Sequence, residues 1–360
     1  MSSTSHPKSS SILAAQNVVI FGMVWAVFSL LFFMLFSVTP EGEELPGWYA
    51  IGTYIFELGA FLLATIVCYR NWKSPQMVSG RNVWLGIGLG AFFYFLGGVF
   101  FGVWELVWEL DPAVSFADVF YILSYIFLGW GMSLAVASKR LNLELWQWAA
   151  LAAVAVSSTA LAIWVSGISV PGLGAQSFSS PDQAVVREVE IAERGVSDVG
   201  GYAAQELRLI LAQAPEPDVS EIDETEETVE EGIEESSSAP AWVVALDERL
   251  EPLAFGVNLF YVIGDVVLLI LATALILAFW GGRFSQSWRM IAFAMFSLYV
   301  ADMYFKWADS RAEAEYESGA LLEVFFVFTG ILLAIGAVLE YDISTRSRQS
   351  RRSRRSSAKS

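Results

Sequence analysis

Charge, cysteine and histidine are all scarce in this chain. Of its 360 residues only 16% are Asp, Glu, Lys or Arg, against about 25% in an ordinary soluble protein. That is too little charge to coat a water-soluble globule of this size. The single cysteine, Cys68, excludes an internal disulfide and the stapled secreted scaffolds that depend on one. The single histidine, His6, lies near the amino end and excludes a zinc or haem centre built on imidazole. No phosphate-binding loop, Gly-x-Ser-x-Gly elbow, His-Glu-x-x-His pair or dinucleotide fingerprint occurs. The sequence therefore predicts no enzyme, no cofactor and no metal site.

What the chain has instead is apolar length. Hydrophobic residues make up 55%, with 26 Phe and 14 Trp, and mean hydropathy is +0.52. A bilayer core is crossed by roughly 20 apolar helical residues. Eight such stretches are legible, at about 17–38, 49–69, 83–104, 117–138, 145–167, 254–280, 286–307 and 319–340. The first is too long for a signal-peptide core and no small-x-small cleavage site follows it, so it reads as a retained span. The expected fold is all-α: a polytopic integral membrane bundle of about eight helices. Its expected parts are a leader (1–16), spans 1–5 (17–167), a partly disordered acidic loop (168–252), spans 6–8 (253–340) and a basic tail (341–360).

Lys and Arg set the orientation. Arg70, Lys73 and Arg81, then Lys139 and Arg140, then Arg283 and Arg289 fall in alternate connections, on the side of the Arg-rich tail. The other connections are acidic. The expectation is a plasma-membrane protein with both termini in the cytoplasm and the acidic loop outside. Residues 168–252 hold 20 acids and four arginines, nearly the whole formal charge of −17. This segment reads as a solvated spacer or as a calcium- or partner-binding loop, without the Asp-x-Asp-x-Asp-Gly pattern of a defined calcium site. The tail suits anionic lipid headgroups on the inner leaflet or a protein partner, and no folded reader of nucleic acid accompanies it. Trp48, Trp84, Trp104, Trp146, Trp148, Trp288 and Trp307 fall near span ends, where amphipathic rings favour the headgroup layer.

The spans repeat as hairpins. Aligning 119–138 with 259–279 superposes Phe120-Tyr121 on Phe260-Tyr261, and weaker copies begin near Ile55 and Val324. In this register Thr53, Asp118, Asn258 and Glu323 become equivalent. Duplicated membrane hairpins often enclose a pseudo-symmetric cavity.

Ionisable groups inside spans are costly, about 2.5–3.5 kcal/mol or more at mid-bilayer, and should face a cavity or a partner. Asp265 lies deepest, followed by Glu57, Asp302 and Glu323, with Asp118 and Glu105 at the rim. Lys306 stands one turn after Asp302, a spacing that predicts an i,i+4 ion pair; its place near the span end disfavours a retinal Schiff base. Tyr121 and Tyr261 complete the candidate binding set, with other tyrosines available to satisfy the carboxyl groups.

The fourth span opens Pro112-Ala113-Val114-Ser115-Phe116-Ala117-Asp118-Val119-Phe120-Tyr121-Ile122-Leu123-Ser124-Tyr125. This resembles the P-S-x-A-D-x-x-Y-L-x-x-Y stretch of multi-span sensor modules in microbial signalling proteins. Phe260-Tyr261-Val262-Ile263-Gly264-Asp265 is similar to their second block, an aromatic followed by Gly-Asp. Ala113 and Val114 separate Pro112 from Ser115, which are adjacent in that pattern, and Ile126 stands where it has proline. The resemblance implies a stand-alone sensor or binding module that signals through a separate protein. A proton- or cation-coupled carrier using the intramembrane carboxylates, or a scaffold acting through the acidic loop and tail, are the alternatives. Oligomeric state is not legible.

Overall fold

The computed structural model describes residues 13–38, 46–110, 114–138, 144–165, 239–279, 285–309 and 319–357, with side chains to 346 in the last stretch. Residues 1–12, Lys139, Arg140, Arg283 and positions 168–238 of the acidic segment lie outside them. The chain forms two units, one of which, Ser169–Ser236, is outside the described residues; the other is a helical bundle. The described residues contain no strand.

Eight long helices build the bundle: α1 (Ala15–Phe36), α2 (Gly47–Lys73), α3 (Arg81–Trp108), α4 (Ala117–Ala137), α5 (Leu145–Val165), α7 (Ala254–Ala278), α8 (Ser285–Asp309) and α9 (Val324–Ser357). A short helix, α6 (Ala241–Leu250), precedes α7. The breaks fall where backbone chemistry demands them. Pro46 and Pro240 precede α2 and α6, and Pro252 sits in the 3₁₀ turn between α6 and α7. Gly80 and Gly319 take φ of 97° and 114° ahead of α3 and α9, a conformation glycine adopts without a Cβ clash. Seven segments, α6 and α7 counted together, are long and apolar enough to cross a membrane. The remaining long helix, α8, matches them in length, but Arg289, Asp302, Lys306 and Asp309 dilute its apolar content.

Six helices close a ring in the order α2, α3, α4, α7, α8, α9 and back to α2, while α1 packs outside against α9 and α5 outside against α7. Both outer helices expose rows of large apolar side chains, including Phe21, Val27, Phe28 and Leu35 on α1 and Val156 and Trp164 on α5. Exposed surface of this kind fits lipid, not water. This is a multi-pass membrane helical bundle.

Lipid offers no hydrophobic driving force between helices, so close packing and interhelical hydrogen bonds must hold them together. A Cβ on Gly86 would lie 2.6 Å from the Cα of Gly131, so α3 and α4 touch backbone to backbone. A Cβ on Gly330 would lie 2.8 Å from the backbone of Ala60, so α9 and α2 touch in the same way. Ser287 donates to the Gly336 carbonyl and Asn71 to the Ala337 carbonyl, each at 2.7 Å.

Two expectations are corrected. Trp84, Trp104 and Trp288 are buried at 0%, 2% and 0% exposure, so they are core residues and not an aromatic belt. Trp84 and Trp288 pack at 6.0 Å, with Phe279 stacked on Trp288 at 5.0 Å. Trp48, Trp146 and Trp148 are exposed as expected. The segment taken as a loop to residue 252 is helical from Ala241. The basic tail continues α9 to Ser357, because extending a helix already formed avoids the cost of nucleation.

Candidate functional site

The polar side chains scattered over the sequence meet at one end of the ring, where α2, α4, α7 and α9 begin and α3 and α8 finish. A cavity of about 460 Å³ opens there, and all six ring helices line it. Glu57, Asp118, Tyr121, Tyr261, Asp302, Lys306 and Glu323 line it together. Asp265 lies beneath, 2% exposed, and reaches the cavity through Tyr125. All eight candidate residues thus belong to one polar assembly. Thr53, Asp118, Asn258 and Glu323, equivalent under the hairpin register, all line the same cavity.

Tyr125 is the junction. Its hydroxyl lies 2.5 Å from Asp265 Oδ1 and 2.5 Å from Asp302 Oδ2, bridging α4 to both α7 and α8. Gly264 makes this possible, since a Cβ there would sit 2.6 Å from the Tyr125 ring. Gly97 does the same for Tyr121, at 2.7 Å. The Asp265 and Asp302 carboxyls also lie within hydrogen-bond reach of each other. Across the mouth, the Tyr261 hydroxyl donates to Asp118 Oδ1 at 2.6 Å. The two sequence blocks that carry the sensor-module resemblance are therefore hydrogen-bonded to one another.

Asp118 and Glu323 also do structural work. Asp118 Oδ2 accepts the Ser115 N–H at 2.8 Å, and the Ser115 hydroxyl accepts the Ala117 N–H at 3.2 Å, a cap on the first turn of α4. Glu323 accepts the Gly319 and Ala320 N–H groups at 2.9 and 3.2 Å ahead of α9. Tyr54 donates to Glu105 at the rim. Trp104 Nε1 is 3.2 Å from each carboxyl oxygen of Asp247, which ties α6 over the end of α3.

The expected Asp302–Lys306 pair is not closed. The Lys306 ammonium lies over the Tyr261 ring, 5.1 Å from its centroid. One helical turn brings the two residues level, but the lysine takes the aromatic face on α7 instead of the carboxylate on its own helix.

Tyr54, Tyr94 and Asn258 were named in the sequence only as satisfying or aligned groups, yet they line the cavity with Phe33, Phe101, Phe305 and Phe326. No local signal distinguishes these aromatics from the many that face lipid. A second cavity, of about 450 Å³, lies between α5, α7 and α8. Its lining is apolar, and its hydroxyls on Ser158, Thr273 and Tyr299 all donate to backbone carbonyls. It offers a ligand no polar handle.

Below Asp265 the ring interior is filled by Leu128, Met132, Leu268, Leu275, Ile291, Met295 and Leu298, all in one buried cluster with Trp84 and Trp288. Among the described residues, no group of three or more His, Cys, Asp or Glu side chains could hold a metal ion. No family model, no curated protein and no solved structure matches the chain.

Proposed function

We propose that the protein is a non-catalytic binding module of the plasma membrane. It takes a small ligand at its outer face and passes occupancy to a cytoplasmic protein partner. The carrying observation is a cavity lined from every ring helix at one end of the ring. Arg70, Lys73, Arg81, Arg289 and Arg346 lie on the helix segments at the other end of the ring. Positive residues favour the cytoplasmic side, so the cavity faces outward and the acidic segment is external.

Helix α9 supplies the route. It starts beside Glu323 and Phe326 at the cavity and runs 34 residues without interruption to Ser357. At about 1.5 Å per residue it measures roughly 51 Å, some 20 Å more than a bilayer core. A shift at the cavity would move the basic segment that follows as one rod. That segment would lie at the anionic inner leaflet, where a partner could meet it. The resemblance to microbial sensor modules points the same way.

A second reading, a carrier driven by protons or cations, draws on the depth of Asp265 and its contact with a second carboxyl, Asp302. The apolar packing beneath it favours the binding module, because a carrier needs a second opening.

The test uses Asn258→Trp, which fills the mouth from an exposed position. The full chain and the variant are cross-linked in native membranes and their partners quantified. The binding-module reading expects a protein with a cytoplasmic output domain whose association changes when the mouth is filled. Identical partners in identical yield, together with flux in liposomes that Asp265→Asn abolishes, would replace it with the carrier.

A further inference from the structure

The sign and shape of the cavity restrict what can fill it. Glu57, Asp118, Asp302 and Glu323 contribute carboxyl groups against one amine, Lys306. Asp118 and Glu323 already accept hydrogen bonds from the chain. Glu57 likewise has a hydrogen bond from Tyr94, and the charged neighbours acting on it, Glu323, Asp302 and Glu105, are all of its own sign. At the floor, behind Tyr125, the buried Asp265 carboxyl meets that of Asp302. Two carboxyl groups side by side favour a cation over a second negative charge beside them.

The walls are aromatic. Tyr94 and Tyr121 meet edge to face at 5.1 Å, and Tyr125 and Tyr261 lie 5.5 Å apart. Ring faces attract cations, most strongly where water is excluded. The chain itself provides an example, since the Lys306 ammonium rests on the Tyr261 face inside this cavity. An anion would meet four carboxyl groups and one amine. A neutral hydrocarbon would add no counter-charge to the four carboxyl groups, which share only Lys306.

We infer that the cavity binds an organic cation: a small amine or quaternary ammonium compound whose charged head lies near Glu57 and Asp302 and whose apolar body packs on the tyrosine rings. The volume, about 460 Å³, suits a small molecule, near the lower end of the ~300–1,000 Å³ usual for ligand sites. This inference rests on the binding-module reading.

The test titrates three compounds of one shape into the full chain in nanodiscs, with empty nanodiscs as the blank. Benzyltrimethylammonium is the cation, neopentylbenzene its neutral isostere and phenylmethanesulfonate the anion. Calorimetry should give saturable one-site binding for the cation alone. Glu57→Gln should weaken it roughly 10–100-fold, Tyr121→Leu several-fold, and Asn258→Trp should abolish it. Thermal unfolding of each variant separates lost binding from lost fold. Binding of the neutral or anionic compound as tightly as the cation, sensitive to Asn258→Trp, would overturn the ligand class and leave the binding cavity standing. Cation binding indifferent to Asn258→Trp would place the site elsewhere and overturn the inference. No saturable binding by any of the three would sink both this inference and the binding-module reading.

Discussion

Replacing Tyr125 by phenylalanine removes one oxygen atom and tests whether the polar assembly holds the ring together. The ring of the side chain stays seated against Gly264 and Tyr261, so packing is preserved and only the bridge is lost. Asp265 Oδ1 and Asp302 Oδ2 each lose their hydroxyl at 2.5 Å. An acceptor left buried without a donor costs about 1–3 kcal/mol. Asp265 should incur most of that amount, keeping only its contact with the Asp302 carboxyl. Asp302 lines the cavity and recovers part of its loss from water. The expected destabilisation is therefore about 2–4 kcal/mol, or a fall of roughly 5–15 °C in Tm at ~2–4 °C per kcal/mol. Cys68 supplies the assay, being the only cysteine and 0% exposed. A fluorogenic maleimide reacts with it only as the bundle opens, and it packs on Gly88, away from the substitution. Asp265→Asn in the Tyr125→Phe background should restore at least half the loss, because an amide is less costly to leave enclosed than a carboxylate. A Tm shift under about 2 °C for Tyr125→Phe, or a double variant that is simply worse, would refute the reasoning.

Further outcomes follow from single contacts. Gly131→Ala places a methyl 2.7 Å from the Ile87 nitrogen and should cost about 1–3 kcal/mol by the same thiol assay. Gly129→Ala, with its nearest atom at 3.8 Å, should be neutral or stabilise by up to ~1 kcal/mol through helix propensity. Asp118→Ala loses both the Tyr261 bond and the cap on Ser115, and should lower stability by about 1–3 kcal/mol; Asp118→Asn should recover part of it. Truncation after Arg346 should leave the Cys68 melting curve unchanged while reducing sedimentation with anionic vesicles when the tail is tested as part of the full chain. Ser360→Cys in a Cys68→Ser background should react with a membrane-impermeant maleimide only after the membrane is opened.

The cavity was legible because an ionisable side chain in an apolar span has few acceptable places. Glu57, Asp302, Asp265 and Lys306 each had to avoid lipid, and a ring of six helices has one interior to receive them. The hairpin register added Thr53 and Asn258, which carry no charge and give no such signal alone. Direction within a turn was not legible. Spacing puts Lys306 level with Asp302, yet the ring of Tyr261 on another helix takes the ammonium. Trp84 and Trp288 stand near span ends in sequence, but facing decides their fate, and they face each other. The short helix α6 was hidden because its sequence, Ala-Trp-Val-Val-Ala-Leu-Asp-Glu-Arg-Leu, follows a strongly acidic run. Only tertiary partners reveal its role: Trp242 packs against Trp104 and Trp108, and Asp247 receives the Trp104 N–H.

The depth of polarity separates the two leading readings. Carboxyl groups and tyrosines cluster from the mouth to Asp265; below that level the ring is packed mainly with leucine, methionine, isoleucine and paired tryptophans, with Asn71, Ser287 and Glu340 among the polar side chains buried there. The α3–α4 contact that flanks this plug is backbone on backbone at Gly86 and Gly131, which leaves little freedom to part. A transported solute would have to separate helices at their tightest point. A bound one need only alter the angle at which α9 leaves the mouth, where Gly319 at φ 114° and the Glu323 carboxylate set its first turn. Gly319→Ala, strained at that φ and 2.7 Å from the Tyr49 ring, should therefore uncouple cavity from tail. Its cation affinity should stay within about threefold of wild type, while cross-linking of the tail to a partner no longer responds to ligand. Equal loss of both would place Gly319 in the binding machinery and remove α9 as the route.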